Sequence, residues 1–260
     1  TSFINNGEIT IDNSYRYGIY QKDSLINNGE IILGREADSS ITALFMDKNS
    51  SVLENYGSVE IHKTNSGNGI SLIANATINN YDSIAIFGNG PNMNGISNFA
   101  IFQNLNGGVC LIRNTGNGIV NYNILENGPN SHMLIDTSNN GFVNTVGTFT
   151  NKGNLMIDRF TSQGIFLDNN FYNDTDGVIG ISMNDAINIG KVGIFSVAEW
   201  TNAGTININP ATNNTLIILT DTFTNSTTGT VNIYTNGVSN SVKLNPGTGI
   251  TNQNIFNIFE

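Results

Sequence analysis

Phe149-Thr150-Asn151-Lys152-Gly153-Asn154-Leu155-Met156-Ile157 carries the pattern that decides the fold. A hydrophobic residue stands two positions before an Asn, a Gly two positions after it, and apolar residues four and six positions after it. The same unit recurs as Phe3-x-Asn5-x-Gly7-x-Ile9-x-Ile11, Leu25-x-Asn27-x-Gly29-x-Ile31-x-Leu33, Leu53-x-Asn55-x-Gly57-x-Val59-x-Ile61 and Trp200-x-Asn202-x-Gly204-x-Ile206-x-Ile208. Further anchors are Asn80, Asn104, Asn127, Asn173, Asn225 and Asn252, so successive anchors lie 22, 28, 25, 24, 23, 24, 22, 29, 23 and 27 residues apart. Self-similarity at that period is the signature of a solenoid, here of about eleven coils.

The hydrophobic residue before each anchor forms the column Phe3, Leu25, Leu53, Ile78, Phe102, Leu125, Phe149, Phe171, Trp200, Phe223, Ile250, which has no polar member. It is expected to face a core. Period-two apolar alternation over a few residues, punctuated by Gly and Asn, reads as short strands and turns rather than helices. A second signal, Gly followed by Ile, falls nine residues before the anchor at Gly18, Gly95, Gly118, Gly164 and Gly193, with near matches at Gly69 and Gly141. Each coil therefore holds three strands. Strands that always travel one way make parallel sheets rising about 4.8 Å per coil, and parallel crossovers are right-handed. The sequence thus predicts an all-β, right-handed parallel β-helix spanning 1–260 as one domain, with an internal Asn ladder. A short amide side chain suits that role, since it tolerates tight turns and can bond its equivalent one coil away. Asn127, Asn173 and Asn225 admit two extra residues before the paired hydrophobics resume.

The chain is 38% hydrophobic but only 12% charged, with a net charge of -10. That acidity argues against nonspecific binding to nucleic acid or anionic membrane. Asn makes up close to one residue in five, a bias usually associated with low complexity, yet the apolar columns demand ordered coils. The lone Cys110 cannot form an internal disulfide, and alternation about Val109 and Leu111 directs it away from that apolar pair. No segment has transmembrane length. A start at Thr1 directly in a coil fits processing or truncation.

Candidate chemistry is sparse. His62 and His132 lie on different coils without zinc spacing, and no nucleophile elbow, Walker motif or dinucleotide loop is present; no cofactor is expected. Superposing the repeats places Asp12, Gly34, His62, Phe87, Ile112, Asp136, Asp158, Ser182, Asn209 and Tyr234 in one column, and Arg35, Lys63, Arg113 and Arg159 in the next. Asp136 and Asp158 should stack beside Arg113 and Arg159. Two such carboxylates can divide acid and base roles at a glycosidic bond, or simply form ion pairs at a solvated turn. Asn173-Asp174-Thr175-Asp176-Gly177 gathers oxygens suited to calcium at Asp174 and Asp176 but lacks the distal bidentate carboxylate. Thr150, Thr201, Thr224 and Thr251 share an outward column, joined by Thr148 and Thr222 and interrupted by Tyr172 and Glu199.

The Asn-x-Gly-x-Ile-x-Ile repeats resemble the right-handed parallel β-helix proteins of bacterial cell surfaces, the adhesin and surface-fibre group. That resemblance implies a noncatalytic structural or adhesive solenoid at the cell surface or outside the cell, a stiff shaft or filament subunit. Phe3 and Asn5 at one end and Ile250, Asn252, Phe256 and Ile258 at the other already occupy coil positions, so self-association end to end or laterally is expected, with surface glycans as further partners. The same architecture carries tailspikes and polysaccharide lyases, so a polysaccharide-binding or polysaccharide-cleaving β-helix is the alternative reading. An ice-binding solenoid is the second alternative and requires a flat threonine face over most coils.

Overall fold

The computed structural model describes residues 2–12, 14, 16–34, 42–47, 50–62, 67–136, 139–182, 192–209, 215–219, 221–234, 241–244 and 249–259, and no helix occurs among them. The strands that end in the anchor Asn residues, from Ser2–Asn5 through Thr148–Asn151 to Ile250–Asn252, form one eleven-stranded parallel sheet in chain order. The apolar pairs after the turn form a second parallel sheet, from Glu8–Ile11 to Ile255–Phe259, and the Gly-Ile segments a third, from Tyr17–Gln21 to Ser241–Leu244. Ser83–Asn98 and Val109–Asn121 run unbroken through the corner and join the second and third sheets. The fold is an all-β parallel solenoid of right-handed type. Fully enclosed turns are fewer than the anchor strands, because the first and last coils are stacked on one side only.

Register is kept anchor to anchor: Phe149 lies between Leu125 and Phe171, and Asn151 between Asn127 and Asn173. The column from Leu25 to Phe223 is almost wholly buried, whereas its end members Phe3 and Ile250 are 56% and 40% exposed for want of a second neighbour. Inside, Phe149, Phe171, Trp200 and Phe223 form a continuous aromatic run with centroids 5.1, 6.0 and 4.1 Å apart.

The Asn ladder is unbroken. Nδ2 of each anchor donates to Oδ1 of the next, from Asn5 to Asn27 at 2.7 Å, through Asn127 to Asn151 at 2.8 Å, to Asn225 and Asn252 at 2.8 Å. The same nitrogens also donate to main-chain carbonyls such as those of Glu30, Ser58 and Gly177. A second, shorter buried ladder links Asn98, Asn121 and Asn144 at the end of the third sheet.

The Gly-Ile signal has a packing cause. A Cβ on Gly118 would lie 2.3 Å from Cγ2 of Ile135 and 2.4 Å from the Gly141 carbonyl, and one on Gly141 would meet Ile157 and the Gly164 carbonyl as closely. At this corner the inward isoleucine of the second sheet fills the space that a side chain would need.

One coil departs from the sequence reading. Asn104 is followed by the longer turn, closed by Gly108 N–H donating to the Leu105 carbonyl at 3.0 Å, with Asn106 and Gly107 at positive φ. Asn127, Asn173 and Asn225 have equivalent turns. The apolar pair facing inward is therefore Cys110 and Ile112, in register with Met133 and Ile135, and not Val109 and Leu111. Cys110 belongs to the core, where burial pushes its thiol up to about 12, and Arg113 rather than Ile112 stands in line with Asp136.

Three substitutions probe this core by chemical denaturation. Phe149→Ala is expected to cost about 3–5 kcal/mol, Asn151→Ala about 1–3 kcal/mol through the amides left unpaired on either side, and Gly118→Val about 1–3 kcal/mol through overpacking. A loss below about 0.5 kcal/mol, the range of neutral surface changes, would place the residue outside the core. Thiol titration of native protein at mild alkaline pH should find Cys110 silent until the chain unfolds.

Candidate functional site

Arg113, Asp136 and Asp158 occupy successive coils of one column, directly below His62 and Phe87, whose rings stack at 5.1 Å. The stacking of Asp136 on Asp158 read from the repeat is therefore present. Asp136 is buried, its side chain 5% exposed, while Arg113 and Arg159 are each 48% exposed. Arg159 Nε donates to Asp136 Oδ1 at 2.6 Å and its Nη2 to Oδ2, a two-point clamp, and Arg113 Nε lies 3.5 Å from Oδ2. Asp158 does something different. Its Oδ1 accepts the backbone N–H of Arg159 at 2.9 Å, and Arg159 has a φ of +50°. The chain thus turns sharply after Asp158, which lets the Arg159 guanidinium reach back one coil to Asp136.

Both oxygens of Asp136 are occupied by guanidinium groups. Planar arginine forks satisfy a desolvated carboxylate well, so the arrangement ties three coils together at a corner. Arg35 and Lys63, expected in the neighbouring basic column, lie outside the described residues.

Asp174 and Asp176 sit in the long turn after Asn173. Gly177 N–H donates to the Asp174 carbonyl at 2.9 Å, and the Asp174 side chain accepts from the Thr175 N–H at 2.7 Å. The carboxylate thus shapes its own turn, while Asp176 is exposed at the tip. Among the described residues no group of three or more His, Cys, Asp or Glu is placed to hold a metal.

On the outer face of the anchor sheet, Thr201, Thr224 and Thr251 lie in register on consecutive coils, with Tyr172 between Thr150 and Thr201. Earlier coils carry Ile26, Glu54, Asn79, Gln103 and Glu126 there. Tyr172 and Glu199, the residues that interrupt the threonines, line a shallow groove of about 290 Å³. Glu126 is bound to Gln103 and Lys152, both at 2.8 Å. Burial pushes the Glu126 carboxyl up, but these hydrogen bonds and the lysine charge outweigh it and hold it below the usual range.

Two exposed features went unread in the sequence. Tyr56 stacks on Tyr81 with centroids 4.7 Å apart, and Phe99 on Tyr122 at 4.1 Å. Each pair follows an Asn of one of the two buried ladders, so the signal was an aromatic repeated at the coil period.

Fold and sites together define a parallel β-solenoid with an internal amide ladder. No family model matches the chain, and no curated protein or solved structure matches it.

Removing one arginine from the corner should be costly. Arg159→Met leaves buried Asp136 with only the more distant Arg113 and is expected to lower stability by about 2 kcal/mol, whereas Arg113→Met should lower it by less than about 1 kcal/mol. Equal losses in thermal or chemical melts would refute the clamp.

Proposed function

We propose that the chain is a noncatalytic structural or adhesive solenoid of the bacterial cell exterior, a stiff shaft or filament subunit. The observation that carries this reading is the unbroken ladder and apolar column running through eleven consecutive anchor strands. Phe3, Ile4, Ile250, Ile255, Ile258 and Phe259 are 40–60% exposed in the first and last coils. Phe3 and Ile250 belong to one inward column, and in the ladder Asn5 donates to Asn27 while Asn252 accepts from Asn225. Such apolar strand edges fit a coil of the same repeat in a second copy. Unpaired strand edges template that kind of association.

The sparse charge and amide-rich surface suit an exterior protein whose stability rests on stacking. The occupied oxygens of Asp136 support a structural role for the corner column in place of acid-base chemistry. The low charge and wholly repetitive coils agree with a shaft.

Size-exclusion chromatography with light scattering over a dilution series tests the association. The apparent mass should rise with concentration, and Phe3→Lys or Ile258→Lys should suppress that rise. A chain that stays monomeric throughout would remove the filament reading. Incubation with a panel of acidic and neutral polysaccharides should give no turnover. Cleavage that Asp136→Asn or Asp158→Asn abolishes would replace the noncatalytic assignment by a depolymerase.

A further inference from the structure

On two consecutive coils the anchor Asn is followed by a tyrosine. Tyr56 comes after Asn55 and Tyr81 after Asn80, and these two asparagines are ladder neighbours, Asn55 Nδ2 donating to Asn80 Oδ1 at 2.7 Å. The Tyr81 N–H donates to the Asn55 carbonyl at 2.8 Å, and the Tyr56 N–H to the Asn27 carbonyl at 2.8 Å. Both backbones are thereby held in register up to the residue that carries the ring. The rings stack with centroids 4.7 Å apart and planes 5° from parallel. Tyr56 is 50% exposed and Tyr81 half-buried, so the pair can be reached from solvent.

Among the described tyrosines no other pair is placed this way. Tyr122 stacks on Phe99 and Tyr234 on Phe259, rings without a second phenol. Tyr172 lies between Thr150 and Thr201. Tyr17 and Tyr20 share one strand, 5.4 Å apart and tilted by 32°, with Phe45 against both and the Tyr20 hydroxyl donating to Asp47 at 2.6 Å. The coils on either side of Tyr56 and Tyr81 carry Asn28 and Leu105 at the same position, side chains that a tyrosyl radical does not oxidise.

We propose that Tyr56 and Tyr81 are a dityrosine site, joined into a covalent staple between consecutive coils by hydrogen peroxide turned over by a haem peroxidase. Each phenol gives up its O–H hydrogen as one proton and one electron, leaving two phenoxyl radicals with spin on the ring carbons beside the oxygen. Those two carbons form a new C–C bond, and the hydrogen displaced from each moves to its own oxygen, restoring both phenols. Two hydrogen atoms leave the protein in all and reduce one hydrogen peroxide to two waters. Burial and the nearby Glu54 charge push the Tyr81 phenol above its ordinary value, so proton and electron leave that ring together. The staple spans one coil of a chain whose single cysteine cannot make an internal disulfide, and like a disulfide it restricts the unfolded chain. The inference goes beyond the shaft reading and does not depend on it, because the bond forms within one molecule.

Trypsin places Tyr56 in the peptide 49–63 and Tyr81 in 64–113, each with a single tyrosine. After native protein is treated with a haem peroxidase and hydrogen peroxide, the monomer band is recovered from a denaturing gel and digested. The joined peptide should appear two hydrogen masses below the sum of its parts, as the main tyrosine crosslink, in a yield that does not change with protein concentration. Tyr56→Phe keeps the stacked ring without its phenol and should remove most of the dityrosine fluorescence of the monomer while leaving the thermal melt in place. The proposal fails if the monomer yields no joined peptide while added N-acetyltyrosine couples in the same reaction, if other tyrosine pairs match its yield, or if Tyr56→Phe leaves the fluorescence unchanged.

Discussion

Everything in this molecule depends on a side-chain amide meeting its own copy one coil away. Interior ladder residues such as Asn27 and Asn151 share one pattern: Oδ1 accepts from the preceding coil, while Nδ2 donates to the next coil and to a main-chain carbonyl, Ser58 for Asn27 and Val178 for Asn151. Satisfying every polar atom of a buried group is what makes its burial tolerable. Hydrogen bonds in such a chain also polarise one another, so an interior rung is supported from both sides. The polarity is not dictated by strand direction alone. Along an outward edge, Asn140 donates to Asn117, Asn117 to Asn94 and Asn94 to Asn68, the reverse sense. In the inner ladder the nitrogens point the other way and also donate to main-chain carbonyls such as Ser58 and Val178 in the coil they face.

Given that constraint, variation is confined to the corners. An insertion within a strand would shift every later side chain by one step and exchange inward for outward residues. An insertion at a turn leaves the columns intact. The long turns after Asn104, Asn127, Asn173 and Asn225 are such insertions, each closed by the same backbone hydrogen bond. Long and short turns side by side create relief on an otherwise flat solenoid without any change in the core columns. In a fold where each coil contacts only its neighbours, surface features of this kind can change without rebuilding the rest.

The same logic explains what the sequence made legible. Anchors, inward columns and parallel architecture could be read because identical environments one coil apart impose identical residue types. The stacking of Asp136 on Asp158 followed from that periodicity alone. The slip at Asn104 occurred because Val109 and Leu111 imitate an inward pair, while Cys110, the true core member, is a small and ambiguous hydrophobe. With the turn after Asn104 two residues longer, Arg113 and not Ile112 lies in the column of Asp136. The Arg159 clamp was only half legible, since it depends on the positive φ that turns the chain after Asp158.

A periodic sequence carries its own hazard, which the clamp addresses. Asn98, Asn121 and Asn144 stack at a constant spacing, as do Gly95, Gly118, Gly141 and Gly164 with their partner isoleucines. In this stretch a chain displaced by one whole coil would satisfy almost the same contacts. What distinguishes the correct alignment is the feature that does not repeat. Arg113 and Arg159, themselves half exposed, flank the buried Asp136 carboxylate over consecutive coils, and a shift would set Asp136 against an apolar or neutral neighbour with its charge unpaired. Buried ion pairs add little stability over apolar packing, but an unpaired buried charge is heavily penalised. The cluster therefore acts on the competing alignments more than on the native one, fixing the register of a core whose repetition would otherwise leave it degenerate.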